Sequence, residues 1–392
     1  MNRLTPLLLA LVLLPLGGCS SPPAAPAASP TATASAQPSY AGLGFDGHDT
    51  AGTDPAAWPD LTGQTVTILD QGAFEWVFAA AKPLFENLTH AKVEHVAALD
   101  AGDTLARAIR EKGDPSFDVI YGLDNVLVGK AEREGVLAPY QPLLSPRIDA
   151  TLPLADAPRP WSATPVDHGF IAVNVAPRQA ANVTTLQGLV AHAGQFVTED
   201  PRTSSPGLGF LVATVATFGD KGSSSYDFTT YWDDLFTHGA LVTPGWTEAY
   251  VQHFSAGYGA GSGGAADKDI VTSYTTSPAY EAYSGANHTA AVLAAPKSTF
   301  HQVETMAIAK GARHPVAAQA WIEFTLTDAY QSLMAPQNAV YPVVPAVDVA
   351  PVYAHADPDP AHLQDAGFSA AALDANAERW VQEWTEVYER HH

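Results

Sequence analysis

Short apolar runs alternate with segments of helical spacing through the first half of the chain. Residues 65–69 predict a buried strand. Residues 74–88 predict a helix that Pro83 should kink or end, because proline lacks the N–H that an interior helical turn requires. A second strand is expected at 93–98, a helix at 104–112, a third strand at 117–121 and a helix at 125–134 closed by Gly135. Such alternation implies an α/β architecture with a largely parallel sheet, whose ligands gather at the carboxyl ends of the strands. The first of those ends carries Asp70, the second Asp100, Ala101 and Gly102, and the third Gly122, Leu123, Asp124 and Asn125.

A further strand at 169–175 follows Asp167 and His168, and another at 195–198 leads into a polar stretch at Asp200, where a second α/β lobe should begin. Helices are expected at 208–218, 226–236 and 247–254, with a strand at 270–274. Strands near 290–293 and 302–308 and helices at 316–327 and 330–334 follow. The final helix, 369–390, carries Trp380 and Trp384 four residues apart, a spacing that predicts core anchors. Ser205 and Pro206, and again Thr276, Ser277 and Pro278, have the pattern of a hydroxyl cap followed by proline at a helix entry. Such entries present free N–H groups beside hydroxyls, suited to an anion or a ligand alcohol, or to capping alone.

Composition changes the picture at the amino terminus. Arg3, the apolar run 7–16 and the sequence Leu16, Gly17, Gly18, Cys19 resemble a bacterial lipoprotein signal, too short to span a membrane. On this reading 1–18 is removed, and Cys19 is acylated and holds the protein to the outer face of the membrane. Cys19 is also the single cysteine, so no disulfide, thiolate metal site or thiol nucleophile is expected in the folded body. Residues 19–60, rich in Pro, Ala and Ser, predict a flexible tether. The remainder is long enough for two lobes, placed at 61–167 and 168–290, with 291–392 returning to complete both. A formal charge of −22 opposes nucleic-acid binding, which needs a basic footprint. The same charge is compatible with a cationic ligand.

Three segments are dense in hydroxyls and aromatic rings: 200–209 with Ser204 and Ser205, 245–250 with Trp246 and Tyr250, and 273–280 with Tyr274, Thr275, Thr276, Ser277 and Tyr280. None contains a recognisable nucleophile or metal motif. Ser262 follows Ala260 and Gly261, which fails the spacing of a nucleophile elbow. Asp357 and Asp359 lie in a proline-rich stretch where solvation is the expected role. A secreted hydrolase is therefore the weakest of the readings.

These three segments, with Gly122 to Asn125 and Tyr341, Pro342 and Val343, resemble in order and spacing those of the thiamine-binding proteins that feed ABC importers. The resemblance runs from about residue 64 to the carboxyl terminus. It implies an extracytoplasmic, periplasmic-binding-protein-like α/β fold of two lobes with the ligand cleft between them, no enzymatic activity and no cofactor. The implied partners are thiamine or its phosphate esters and an ABC permease, served by a monomer. The positions matching the family's ligand contacts are Ala101, Gly102, Ser204, Ser205, Trp246, Tyr274, Thr275, Thr276 and Ser277. Ala101 stands where the family pattern has an acid, and the opening strand ends Leu69, Asp70, Gln71, Gly72 in place of a tyrosine-rich turn. On residue chemistry, Trp246 and Tyr274 can stack on the rings of thiamine and attract its thiazolium. Asp124, with Asp100 or Asp70, can complement the positive charge. The alternative ligand is ferric iron, for which Tyr274, Tyr280 and His168 supply the candidate donors.

Overall fold

Residues 43–154, 161–180, 182–257, 265–285, 290–293, 295–355 and 366–392 are described by a computed structural model. The signal segment, Cys19, Ser262, Asp357 and Asp359 lie outside them. In chain order the first lobe opens with β1 (Thr65–Gln71), α1 (Glu75–Thr89), β2 (Lys92–Ala98) and α2 (Ala101–Arg110). It continues with β3 (Val119–Asp124), α3 (Leu127–Glu134) and the short β4 (Leu137–Ala138). A long strand, β5 (Thr164–Val175), then crosses to the second lobe, which holds α4 (Leu186–Leu189), β6 (Phe196–Glu199), α5 (Ser205–Phe218) and α6 (Phe228–Thr237). There follow β7 (Leu241–Thr243), β8 (Ile270–Tyr274), α7 (Ser277–Tyr283) and β9 (Ala291–Val292). The chain returns through β10 (Phe300–Ala309) to α8 (Pro315–Thr325), α9 (Asp328–Gln331) and β11 (Tyr341–Pro342), and ends with α10 (Ala370–Glu389).

The sheet order is β2-β1-β3-β10-β5-β8-β6-β7. Its outer parts are parallel, as the alternation predicts: β1 with β2 and β3, and β6 with β7 and β8. The centre is antiparallel, because β5 and β10 run in opposite senses between the lobes. Twelve residues of strand span about 40 Å, long enough for β5 to belong to both lobes. Two register shifts interrupt β10, one on each side of Thr305. Bulges of this kind re-aim a side chain, and here the neighbouring Glu304 faces the cleft.

Two expectations are corrected. Pro83 neither ends nor splits α1, because Phe78 and Ala81 before it and Phe85 and Leu88 after it all anchor in one core. Residues 43–61 are not tether. Leu43, Phe45, Trp58 and Leu61 are buried in the first-lobe core, with Phe45 stacked on Trp58 at 4.4 Å and the Trp58 indole N–H donated to Asp49 at 2.8 Å. In the second lobe Trp380 and Trp384 are buried with Trp232 and Phe236, as their spacing predicts. Among the described residues no helix is long and apolar enough to cross a membrane.

Candidate functional site

Between the lobes lies a narrow cleft lined by residues of both. One wall belongs to the second lobe. Trp246 stacks on Tyr250 at 4.9 Å with an 11° tilt, and its indole N–H donates to Ser273 at 2.8 Å. Ser273 is in turn bonded to the Ser277 hydroxyl at 2.9 Å, so the indole plane is fixed by the same hydroxyls that open α7. A wide, π-type turn over Thr247–His253 replaces the expected α-helix and sets Trp246 and Tyr250 in register for stacking. Tyr274, at the end of β8, donates to Gln302 at 2.8 Å.

The opposite side is acidic. Asp100, capping α2, accepts from the N–H of Ala101 at 2.8 Å and, across the cleft, from that of Trp246 at 3.3 Å. Burial pushes its carboxyl up to about 6, against the pull of the Ala101, Trp246 and Ser205 N–H groups and the Ser204 hydroxyl. Glu304 also lines the cleft, and its Oε1 accepts from the Gln71 and Gln302 amides at 2.7 and 2.9 Å. Its Oε2 lies 2.8 Å from the Tyr121 hydroxyl, which lies 2.8 Å from Asp167 Oδ2 as well. Desolvation raises both carboxyls, Asp167 to about 7 and Glu304 well above its ordinary value. Trp76, Leu99, Pro206, Thr247, Tyr280 and residues 337–340 complete the lining, which includes no lysine or arginine among the described residues.

Of the residues expected from sequence, Asp100, Trp246, Tyr274, Ser277 and Tyr280 line this cleft. Ala101 and Gly102 are placed instead where the lobes touch: the Gly102 N–H donates to Thr203 O at 2.8 Å. Asp124 is a correction to the expected counter-charge. Its carboxylate is taken up by the N–H groups of Val126 and Leu127 at 2.8 and 2.9 Å and by the Ser205 hydroxyl, so it caps one lobe and ties it to the other. Ser204, Thr275 and Thr276 are buried and outside the lining, and Asp70 is bonded to His95 at 2.9 Å.

Sequence reasoning missed Glu304, Gln71, Trp76, Leu99 and the 337–340 turn. Only Glu304 carried a signal: it is the lone acid in 302–308, where a strand was expected, and a charge in a buried strand points to a site.

With this geometry in place, comparison with known proteins gives three findings. Residues 80–361 match the family model described as bacterial extracellular solute-binding protein. The thiamine-binding periplasmic protein of Escherichia coli (strain K12) is 28% identical over 333 residues, covering 83% of this chain and 93% of the relative. That of Brucella abortus is 29% identical over 327 residues, covering 82% and 90%. Among solved structures, a periplasmic thiamin binding protein superposes with a TM-score of 0.68 at 26% identity, covering 83% of this chain and 99% of that one.

Proposed function

Because the chain belongs to the bacterial extracellular solute-binding proteins, we propose that its cleft captures thiamine and hands it to an ABC permease. The observation that carries this reading is the pairing of an aromatic wall, Trp246 on Tyr250, with Asp100 and Glu304 in one cleft whose lining has no lysine or arginine among the described residues. A flat, permanently cationic thiazolium suits both halves: the rings offer stacking and cation–π attraction, and the acids offer counter-charge. The same balance favours the free vitamin over its phosphate esters, since a phosphate would meet carboxylates with no cation to offset them. Ligand bound to both walls would stabilise the state in which the lobes meet, which is what a permease can recognise. One chain builds the whole cleft, so a monomer suffices, and no covalent step or cofactor is assigned to it.

Trp246→Ala removes about 2 kcal/mol of ring attraction and should weaken thiamine binding about thirtyfold in calorimetric titration. Thiamine pyrophosphate binding the native protein as tightly as thiamine would count against the charge argument.

The same reading places the protein outside the cytoplasm, held to the membrane by lipid on Cys19. Cys19→Ala should move it from the membrane fraction to the soluble fraction of fractionated cells. An unchanged distribution would remove the anchor.

A further inference from the structure

Tyr121 has one hydroxyl proton, yet its oxygen lies 2.8 Å from a carboxyl oxygen of Asp167 and 2.8 Å from one of Glu304. If both carboxyls were ionised, one of these two contacts would set two oxygens together with no hydrogen between them. One extra proton resolves this: Tyr121 donates to one carboxylate and accepts from the other, protonated carboxyl. We propose that Asp167 and Glu304 share one proton in the empty cleft and that a cationic ligand settling against Glu304 displaces it. The displacement rests on the thiamine reading above; the shared proton does not.

The surroundings fit. Among the described residues the side chains bonded to the pair are neutral: Gln71 and Gln302 on Glu304, Tyr121 on both, and the Asn338 amide 3.4 Å from Asp167. Among the described residues the other ionisable groups that face the pair are Asp100 at the start of α2, Tyr274 on β8 and Tyr330 on α9, and the Asp100 carboxylate adds to the cost of a charge on Glu304. His95 is already paired with Asp70, and His168 next to Asp167 in sequence is bonded to His301 at 3.1 Å. Among the described residues no lysine or arginine forms an ion pair with Asp167 or Glu304. Two carboxyls in one site with no counterion titrate as a unit, with the first proton leaving far more easily than the second.

A cation supplies the missing counterion. On binding, the O–H bond of the protonated carboxyl breaks, the proton passes through the open cleft to solvent, and the electron pair stays on the carboxylate. Tyr121 keeps one acceptor, its contact with the other carboxylate opens, and the amides of Gln71, Gln302 and Asn338 serve the rest. Affinity for the cation should therefore rise with pH until the ligand-free protein itself loses the shared proton, and level off above that point. Asp100, near 6, adds a separate and more acidic step.

Infrared difference spectroscopy of the ligand-free protein tests the first half. A protonated-carboxyl band at neutral pH should be present in the native protein and missing from both Asp167→Asn and Glu304→Gln. Tyr121→Phe, which keeps both acids, should shift it. The buried Glu199 carboxyl, also raised, contributes a band that every variant keeps; a native spectrum from which neither Asp167→Asn nor Glu304→Gln removes a protonated-carboxyl band overturns the shared proton.

Calorimetry with thiamine in buffers of different ionisation enthalpy tests the second half. Release approaching one proton is expected at pH 7, falling toward none as the pH is raised past the loss of the shared proton from the ligand-free protein. Asp167→Asn should lose that release and its pH dependence, and Glu304→Gln should weaken binding at least tenfold. Thiamine binding with no proton released at pH 7 overturns the displacement. Absence of any heat of thiamine binding, in protein that shows the band, overturns the ligand reading while the shared proton stands.

Discussion

Gly102 shows how a single missing side chain can decide whether two lobes meet. A Cβ built there would lie 2.4 Å from the carbonyl oxygen of Arg202 and 2.7 Å from Thr203 Cα, both backbone atoms of the second lobe. Neither can yield by turning a rotamer, so the contact is relieved only by moving one lobe away from the other. Within its own helix an alanine would be favourable, by up to about 1 kcal/mol over glycine. Gly102→Ala should therefore leave the melting temperature of the ligand-free protein unchanged or raised, while weakening thiamine binding at least tenfold in titration. Native affinity would show that closure does not need this approach. The sequence singled out Gly102 through its place after the second strand. What it did not reveal is that the glycine meets backbone across the cleft, because nothing local to residues 100–103 identifies Arg202 and Thr203 as neighbours.

At the scale of elements, what was legible in the sequence was what each segment does alone. Strands β1, β2 and β8 and helices α5 and α10 follow from apolar spacing and from caps such as Ser369, whose side chain accepts from the Ala372 N–H. Three features escaped because they depend on partners far along the chain. The antiparallel centre arises from β5 and β10 pairing across more than a hundred residues, and apolar runs do not record direction. The packing of 43–61 depends on Phe324, against which Trp58 sets its ring edge; without that partner, isolated aromatics among Pro, Gly and Asp look like tether. The site itself divides the same way. Trp246, Tyr274 and Ser277 lie in segments whose composition marks them. Glu304 reaches the cleft through the register shifts of β10, and Gln71 through being the last residue of β1. Asp124 misled because an acid at a strand's carboxyl end fits both a ligand contact and a helix cap, and only the Val126 and Leu127 N–H groups decide between them.

For the whole molecule, the lobes also meet on a face that is not part of the cleft. Arg133 of α3, a first-lobe helix, pairs with Asp374 and Glu378 of α10, which packs into the second-lobe core, and Lys130 pairs with Glu378 at 3.2 Å. These side chains are about half exposed, so each pair contributes only about 0.2–1 kcal/mol, and the group on the order of 1–2 kcal/mol. In a stable core such an amount would matter little. On the proposed function it falls on an equilibrium between parted and meeting lobes, and any free energy favouring the meeting state adds to ligand affinity by linkage. The excess of acids over bases, 41 against 19, works the other way by self-repulsion, so the few basic residues at this seam carry more weight than their exposure implies. Arg133→Glu sets like charges against Asp374 and Glu378. It should weaken thiamine binding about three- to tenfold at low ionic strength and enlarge the radius of gyration of the ligand-free protein. The defect should shrink toward native behaviour at 1 M salt, where the Debye length falls to about 3 Å. Adding Asp374→Arg to Arg133→Glu should recover most of the loss at low salt, since the reversed pair restores attraction across the seam. If Arg133→Glu binds thiamine as tightly as the native protein at low salt, the seam does not share in closure, and affinity is set by the cleft alone.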